Sequence, residues 1–172
     1  MHDLLRSPLD CPSVFGGEVD TATAFRAVEH APVIRILKVL FDVMGDKGIR
    51  LTSKSNLPMQ QVHAMINAAG EAAFFHRYIG SIRSEEVVPR VHLSRILAEL
   101  AGLTRQVKGR LMLKKAVQAR VHKGDWLSIY QDILRTALSG FNWAWQDFQE
   151  GLEGIQTVGP FGFWLLHRYG DQ

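Results

Sequence analysis

A mainly helical, compact domain with one or two short β-hairpins, winged-helix-like around residues 89–123, follows from three features of the sequence. Apolar residues recur at helical spacing along most of the chain. Prolines and capping residues stand where such segments begin, and glycines where they end. Leu103–Val107 and Arg110–Leu113 flank Lys108-Gly109 as two strands flank a tight turn. Length agrees: 172 residues make about one domain. A chain of that size buries roughly 70% of its unfolded surface without help from a metal or disulfide.

Residues 1–20 hold Pro8, Pro12, Gly16 and Gly17 with no periodicity and read as an N-terminal arm, leaving 21–172 as a single helical domain. Thr21 suits the N-cap of a short helix to Glu29. Pro32 opens the next, to Met44. Its polar residues are only Arg35, Lys38 and Asp42, a narrow stripe that predicts burial on most sides. Gly45 ends it, and Ile49–Thr52 alternates as a short extended segment. Asn56-Leu57-Pro58 starts a helix with Val62, Met65, Ile66 and Ala69 on one face, closed by Gly70. Phe74–Ile79 predicts a short helix, and Ser84-Glu85-Glu86 a solvated connection.

Pro89–Ala101 is a clearer helix, with Leu93, Ile96, Leu97 and Leu100 expected inside and Gly102 as its stop. After the hairpin, Lys114–His122 continues as helix. Asp125 caps a segment from Trp126 to Leu138 whose inner face would carry Trp126, Tyr130, Ile133, Leu134 and Ala137. Asn142 caps Trp143–Leu152, and Phe161–Tyr169 is the last of the aromatic-rich C-terminal helices of 141–169. Two stretches, Val33–Ser55 and Leu93–Ala116, share a plan: helix, glycine stop, extended segment ending in leucine, then a basic step into the next helix. A helix feeding a small hairpin is the local grammar of winged-helix domains.

Gly45-Asp46-Lys47-Gly48-Ile49-Arg50-Leu51-Thr52 with Asn56-Leu57-Pro58, Tyr78-Ile79-Gly80, and Leu100-Ala101-Gly102-Leu103-Thr104-Arg105 with Gly109-Arg110-Leu111-Met112-Leu113 carry a family resemblance over about residues 44–135. The chain resembles a helical domain of uncharacterised bacterial proteins that accompanies the Ri-plasmid open-reading-frame-three-like family. That resemblance implies no activity and no functional residues. Such proteins tend to have glycine where this chain has Ser55, and threonine where it has Lys114. They run on past the position of Gln172, so a short or truncated form is expected here.

No catalytic signature stands out. The seven histidines are scattered, with no His-x-x-x-His and no Cys-x-x-Cys, so neither a metal nor a cofactor is expected. No Gly-x-Ser-x-Gly elbow or phosphate-binding loop is present. A hydrolase with a site assembled across helices is a remote alternative, and the chain reads as a non-enzyme. Cys11 is the sole cysteine, no apolar run reaches about 20 residues, and the N-terminus lacks a signal-peptide pattern. A cytoplasmic protein without a membrane partner is expected.

Charge is segregated. The net of +3 sums five acidic against two basic side chains in residues 1–31 and four against one in 136–172. Between Glu99 and Asp125 stand Arg105, Lys108, Arg110, Lys114, Lys115, Arg120 and Lys123 with no acidic residue. Two binding functions follow as expectations. The first is a protein-interaction or structural module, with Trp143, Trp145 and Trp164 as candidate interface residues and self-association as one outcome. The second is DNA binding by a winged helix, with the Pro89–Ala101 helix in the groove and Arg90, Arg95, Arg105, Lys108, Arg110, Lys114 and Lys115 as candidate contacts.

Overall fold

Prolines at first turns and glycines after last turns bound the helices close to where the sequence puts them. A computed structural model describes residues 20–70, 82–142 and 162. Among them, six helices are α1 Thr21–His30, α2 Pro32–Met44, α3 Met59–Ala69, α4 Pro89–Leu100, α5 Lys115–His122 and α6 Trp126–Ser139. A 3-10 turn spans Glu85–Val87, and the strands are β1 Ile49–Arg50, β2 Thr104–Val107 and β3 Arg110–Leu113. The protein is mainly helical with one small antiparallel sheet, the fold class the sequence predicts. The arm and the helices expected at Phe74–Ile79, Trp143–Leu152 and Phe161–Tyr169 lie outside the described residues, apart from Asp20 and Gly162.

The chain divides into two compact units, Ala22–Ile133 and Met1–Thr21 with Leu134–Gln172. In the second, Leu138 and Phe141 are buried. The first is built around α2. Its narrow polar stripe leaves Ile34, Ile36, Leu37, Leu40, Phe41 and Met44 buried, and α3, α4 and β3 all pack on it. Val62, Met65 and Ile66 of α3, Val91, Leu97 and Ala98 of α4, and Ile49, Leu111 and Leu113 of the sheet complete this core. Each such leucine or isoleucine contributes about 1.5–3 kcal/mol by leaving water.

The strand order is β1-β3-β2, all antiparallel, with Ile49 opposite Leu111, Arg50 opposite Arg110, Val107 opposite Arg110 and Arg105 opposite Met112. Lys108 and Gly109 both have positive φ, 49° and 73°, which the tight turn between twisted strands requires. The two stretches that share a plan therefore do not each form a hairpin. The first supplies a single strand that joins the hairpin of the second, and the Leu51 amide extends that pairing to the Gly109 carbonyl at 2.9 Å. Gly48 permits the junction. Its φ is +65°, and a Cβ there would lie 2.2 Å from Met112 Sδ and 2.6 Å from the Leu111 carbonyl oxygen.

Two helices show a different face from the one expected. On α4 the buried residues are Val91, Ser94, Arg95, Leu97 and Ala98, while Leu100 is 56% exposed and Leu93 and Ile96 are half-buried. On α6 the row that turns inward is Ile129 and Ile133, and Leu134 is exposed. The reason on α6 is its first residue. Trp126 stacks on Phe41 with centroids 6.1 Å apart, and the row three and seven residues on follows it inward, leaving Leu134 one position off. The expected cap holds: the Ser128 amide donates to Asp125 Oδ1 at 3.2 Å.

Ser55 takes φ 61°, in the left-handed region where a side chain is unfavourable, inside a turn closed by Ser55 N to Thr52 O at 2.9 Å. Replacing it with glycine should raise stability by about 1 kcal/mol, read as a higher urea midpoint at unchanged slope. Gly48→Ala should lower stability by more than about 2 kcal/mol in the same titration, since the conflict is with a backbone oxygen.

Candidate functional site

Glu85 follows a polar connection and precedes the proline that opens α4, and its carboxylate has no exposure to solvent. A charge removed from water must be paired and hydrogen-bonded. Arg95 Nε donates to Glu85 Oε1 at 2.6 Å, His92 Nδ1 lies 3.1 Å from the same oxygen, and the Leu57 amide donates to Oε2 at 2.6 Å. The other side of the Arg95 guanidinium donates to Glu99, and Asn56 donates to the neighbouring Glu86 at 3.1 Å. Burial pushes the Glu85 carboxyl up, but the hydrogen bonds from His92, the Leu57 amide and Arg95, with the Arg95 charge, outweigh it and hold the group below the usual carboxylate range. The sequence reading of a solvated Glu85-Glu86 pair is corrected: Glu86 is exposed, while Glu85 is a buried anchor.

This network removes Arg95 from the candidate nucleic-acid contacts, because its guanidinium is spent on Glu85 and Glu99 and the residue is 7% exposed. Ser94, also buried, donates to the Arg90 carbonyl at 2.7 Å. Arg90 is exposed at the first turn of α4. Away from the buried residues of α4 runs the row Pro89, Leu93, Ile96 and Leu100, spaced four, three and four residues apart, exposed at Pro89 and Leu100 and half-buried between.

The basic run is likewise divided by the fold. Arg120 pairs with Asp132 at 2.7 Å and donates to Ser128 at 3.0 Å, within reach of Asp125. Asp125 is in turn held below its ordinary range by the Ser128 hydroxyl, with further help from the Ser128 amide, Arg120 and Lys123 against a desolvation that raises it. Arg110 donates from Nε to the Lys47 carbonyl at 2.7 Å and from Nη2 to the Gly48 carbonyl at 2.9 Å, so it holds the approach to β1. Arg105 and Lys108 are exposed on the hairpin with no side-chain partner among the described residues, and Lys114 and Lys115 are exposed at the start of α5. A Cβ on Gly102 would lie 3.0 Å from Lys114 Nζ, so that ammonium stands beside the C-terminal turn of α4, where helix carbonyls favour a cation. The fold thus gathers Arg105, Lys108 and Arg110 on one hairpin and separates them from Arg95. It adds Arg50, which the sequence reading missed because only the β1–β3 register brings it there. Trp143, Trp145 and Trp164 lie outside the described residues.

A groove of about 560 Å³ is lined among others by Lys38, Asp42, Asp46, His122 and Trp126, with Lys38 Nζ 5.4 Å from the Trp126 ring centroid. Asp42, Asp46 and His122 share no hydrogen bond that would set one as acid or base. Among the described residues, no three His, Cys, Asp or Glu side chains are grouped to hold a metal ion, and no helix is long and apolar enough to cross a membrane. In comparisons with known proteins, the chain matches no family model, no curated protein and no solved structure.

Because the folded pKa of Glu85 is depressed, its stabilisation is fully present above the unfolded carboxylate value near about pH 4.3 and is lost as pH falls through the folded value. Glu85→Gln should cost about 3 kcal/mol at pH 7 by removing the buried one of Arg95's two carboxylate partners. It should also flatten the fall in stability below about pH 4.3. Urea titrations from pH 7 to pH 3 check both, and an unchanged acid limb in the variant counts against the anchor.

Proposed function

We propose that this protein is a non-enzymatic interaction module of winged-helix type that docks an amphipathic helix of an acidic protein partner along α4. The order helix, strand, helix, helix, hairpin, with sheet order β1-β3-β2, supports the winged-helix reading. One observation carries the choice of partner: the side of α4 away from its buried residues is apolar, with Leu100 56% exposed and Leu93 and Ile96 half-buried. A helix that reads bases needs polar side chains outside. Here His92, Ser94 and Arg95 turn toward Glu85 and the helix backbone, which argues against base readout by α4.

The spacing of four, three and four residues is that of a seam between paired helices. Arg90 stands at one end of the seam and Lys114 beside the other, while Glu99 on its flank is already paired with Arg95. A like-charged second copy is disfavoured by those two cations, and an acidic helix is favoured.

The test is a labelled helical peptide with leucines at that spacing and glutamates on both flanks, titrated with the full chain. Burying one leucine is worth about 2 kcal/mol, so Leu100→Asp should weaken binding by roughly thirtyfold. A lysine-flanked peptide should not bind. Equal affinity for both peptides, or an unaffected Leu100→Asp variant, refutes the proposal. A dimer in sedimentation that Leu100→Asp abolishes would replace the acidic partner with self-pairing.

A further inference from the structure

The solvent face of the sheet carries a second and independent feature. Directly opposed residues share a face, so Arg50, Arg110 and Val107 form one row across β1, β3 and β2, and Met112 and Arg105 the next. The opposite face holds Ile49, Thr104, Leu111 and Leu113, all buried, and Gln106, which is exposed and donates to Glu99. Three arginines from three different strands therefore stand on one side of a sheet that contains no acidic residue. Lys108 projects from the turn at the end of the same hairpin.

Like charges directly opposite each other destabilise a sheet. Arg50 faces Arg110 across the β1–β3 ladder, and only Arg110 finds acceptors, the Lys47 and Gly48 carbonyls. Among the described residues, the side chains of Arg50, Arg105 and Lys108 have no hydrogen-bond or ion-pair partner. Their repulsion is relieved when an external anion lies across the face.

We propose that this sheet face binds the phosphate backbone of duplex nucleic acid without reading its sequence. Arginine forks match phosphate and carboxylate oxygens alike in pairs, but three of them on one face with no acidic residue in the sheet favour a polyanion over a single carboxylate. Strands about 4.8 Å apart spread the three guanidinium groups across about 10 Å. A duplex offers a charge for about every 1.7 Å of its axis, so several phosphates meet that span. Between the arginines lie Val107 and Met112, and none of the strand residues on this face is an aromatic on which an unpaired base would stack, so a duplex is favoured over a single strand. The surface differs from the groove-inserted helix of the sequence reading, and it does not depend on the α4 seam.

The experiment is fluorescence anisotropy of a labelled mixed-sequence DNA duplex with the full chain at several salt concentrations. With three to four phosphate contacts, affinity should fall roughly a hundredfold between about 50 and 200 mM salt. Arg50→Gln with Arg105→Gln should lower the slope of log affinity against log salt by about two and weaken all duplex sequences alike. Arg50→Gln alone should bind more weakly while melting no lower than the parent, because it removes a like-charge pair; this separates a binding role from a structural one. Leu100→Asp should leave duplex binding unchanged, so failure here and failure of the α4 seam are distinguishable. Absence of salt-sensitive binding, or a double variant that binds like the parent, overturns the proposal. Equal binding to vesicles of anionic phospholipid would assign the face to membranes and overturn it too.

Discussion

The buried carboxylate of Glu85 is the constraint from which much of the rest follows. A charge with no access to water must gather donors, and Glu85 gathers them from two other parts of the chain: the Leu57 amide before α3, and His92 and Arg95 on α4. Those donors fix more than an ion pair. Holding the Leu57 amide sets where the chain enters α3, since Pro58 and then Met59 follow at once. Pulling Arg95 inward rotates α4 about its axis, and that rotation exposes Leu100 and leaves Leu93 and Ile96 half-buried. One electrostatic requirement in the interior thus decides which surface the helix offers outside. A carboxamide at position 85 would keep the shape but not the charge, and Arg95 would be left with only the partly exposed Glu99 as counter-ion.

The distribution of charge tells a parallel story. A net charge of +3 is close to neutral, and the run from Arg105 to Lys123 looks uncompensated in one dimension. In three dimensions Arg120 closes on Asp132, and Arg110 is tied to two carbonyls near β1. The cations left over do not follow the run. Arg50, more than fifty residues upstream of Arg105, comes to share a sheet face with it because β1 pairs with β3. The stacked Phe41 and Trp126 with Lys38 show the same economy, as a cation on α2 rests on an aromatic ring from α6 rather than facing solvent alone.

Local chemistry was legible in the sequence wherever it is decided by neighbours. Pro32 and Pro89 begin helices because their fixed φ suits a first turn, and Asp125 caps α6 because its oxygen reaches the Ser128 amide three residues on. Lys108-Gly109 makes its turn for a comparable reason, two adjacent residues that both accept positive φ. The candidate hairpin cations Arg105 and Lys108 were also legible, since an exposed turn keeps its side chains in water. Arg95 and Glu85 were not, because nothing within a few residues of either announces that the other will desolvate it.

What the sequence by itself determined is the set of elements and their order: helices bounded by proline, capping residues and glycine, and a hairpin built on a two-residue turn. Those features depend on φ preferences and hydrogen bonds that span three or four residues. Tertiary structure alone decided that Ile49–Arg50 is the third strand of a sheet and not half of its own hairpin, and that α4 turns Leu100 outward and Arg95 inward. Both outcomes rest on pairings between distant segments. A strand of two residues has no register until β3 supplies one, and a helix with apolar residues on two faces has no inside until a buried carboxylate chooses it.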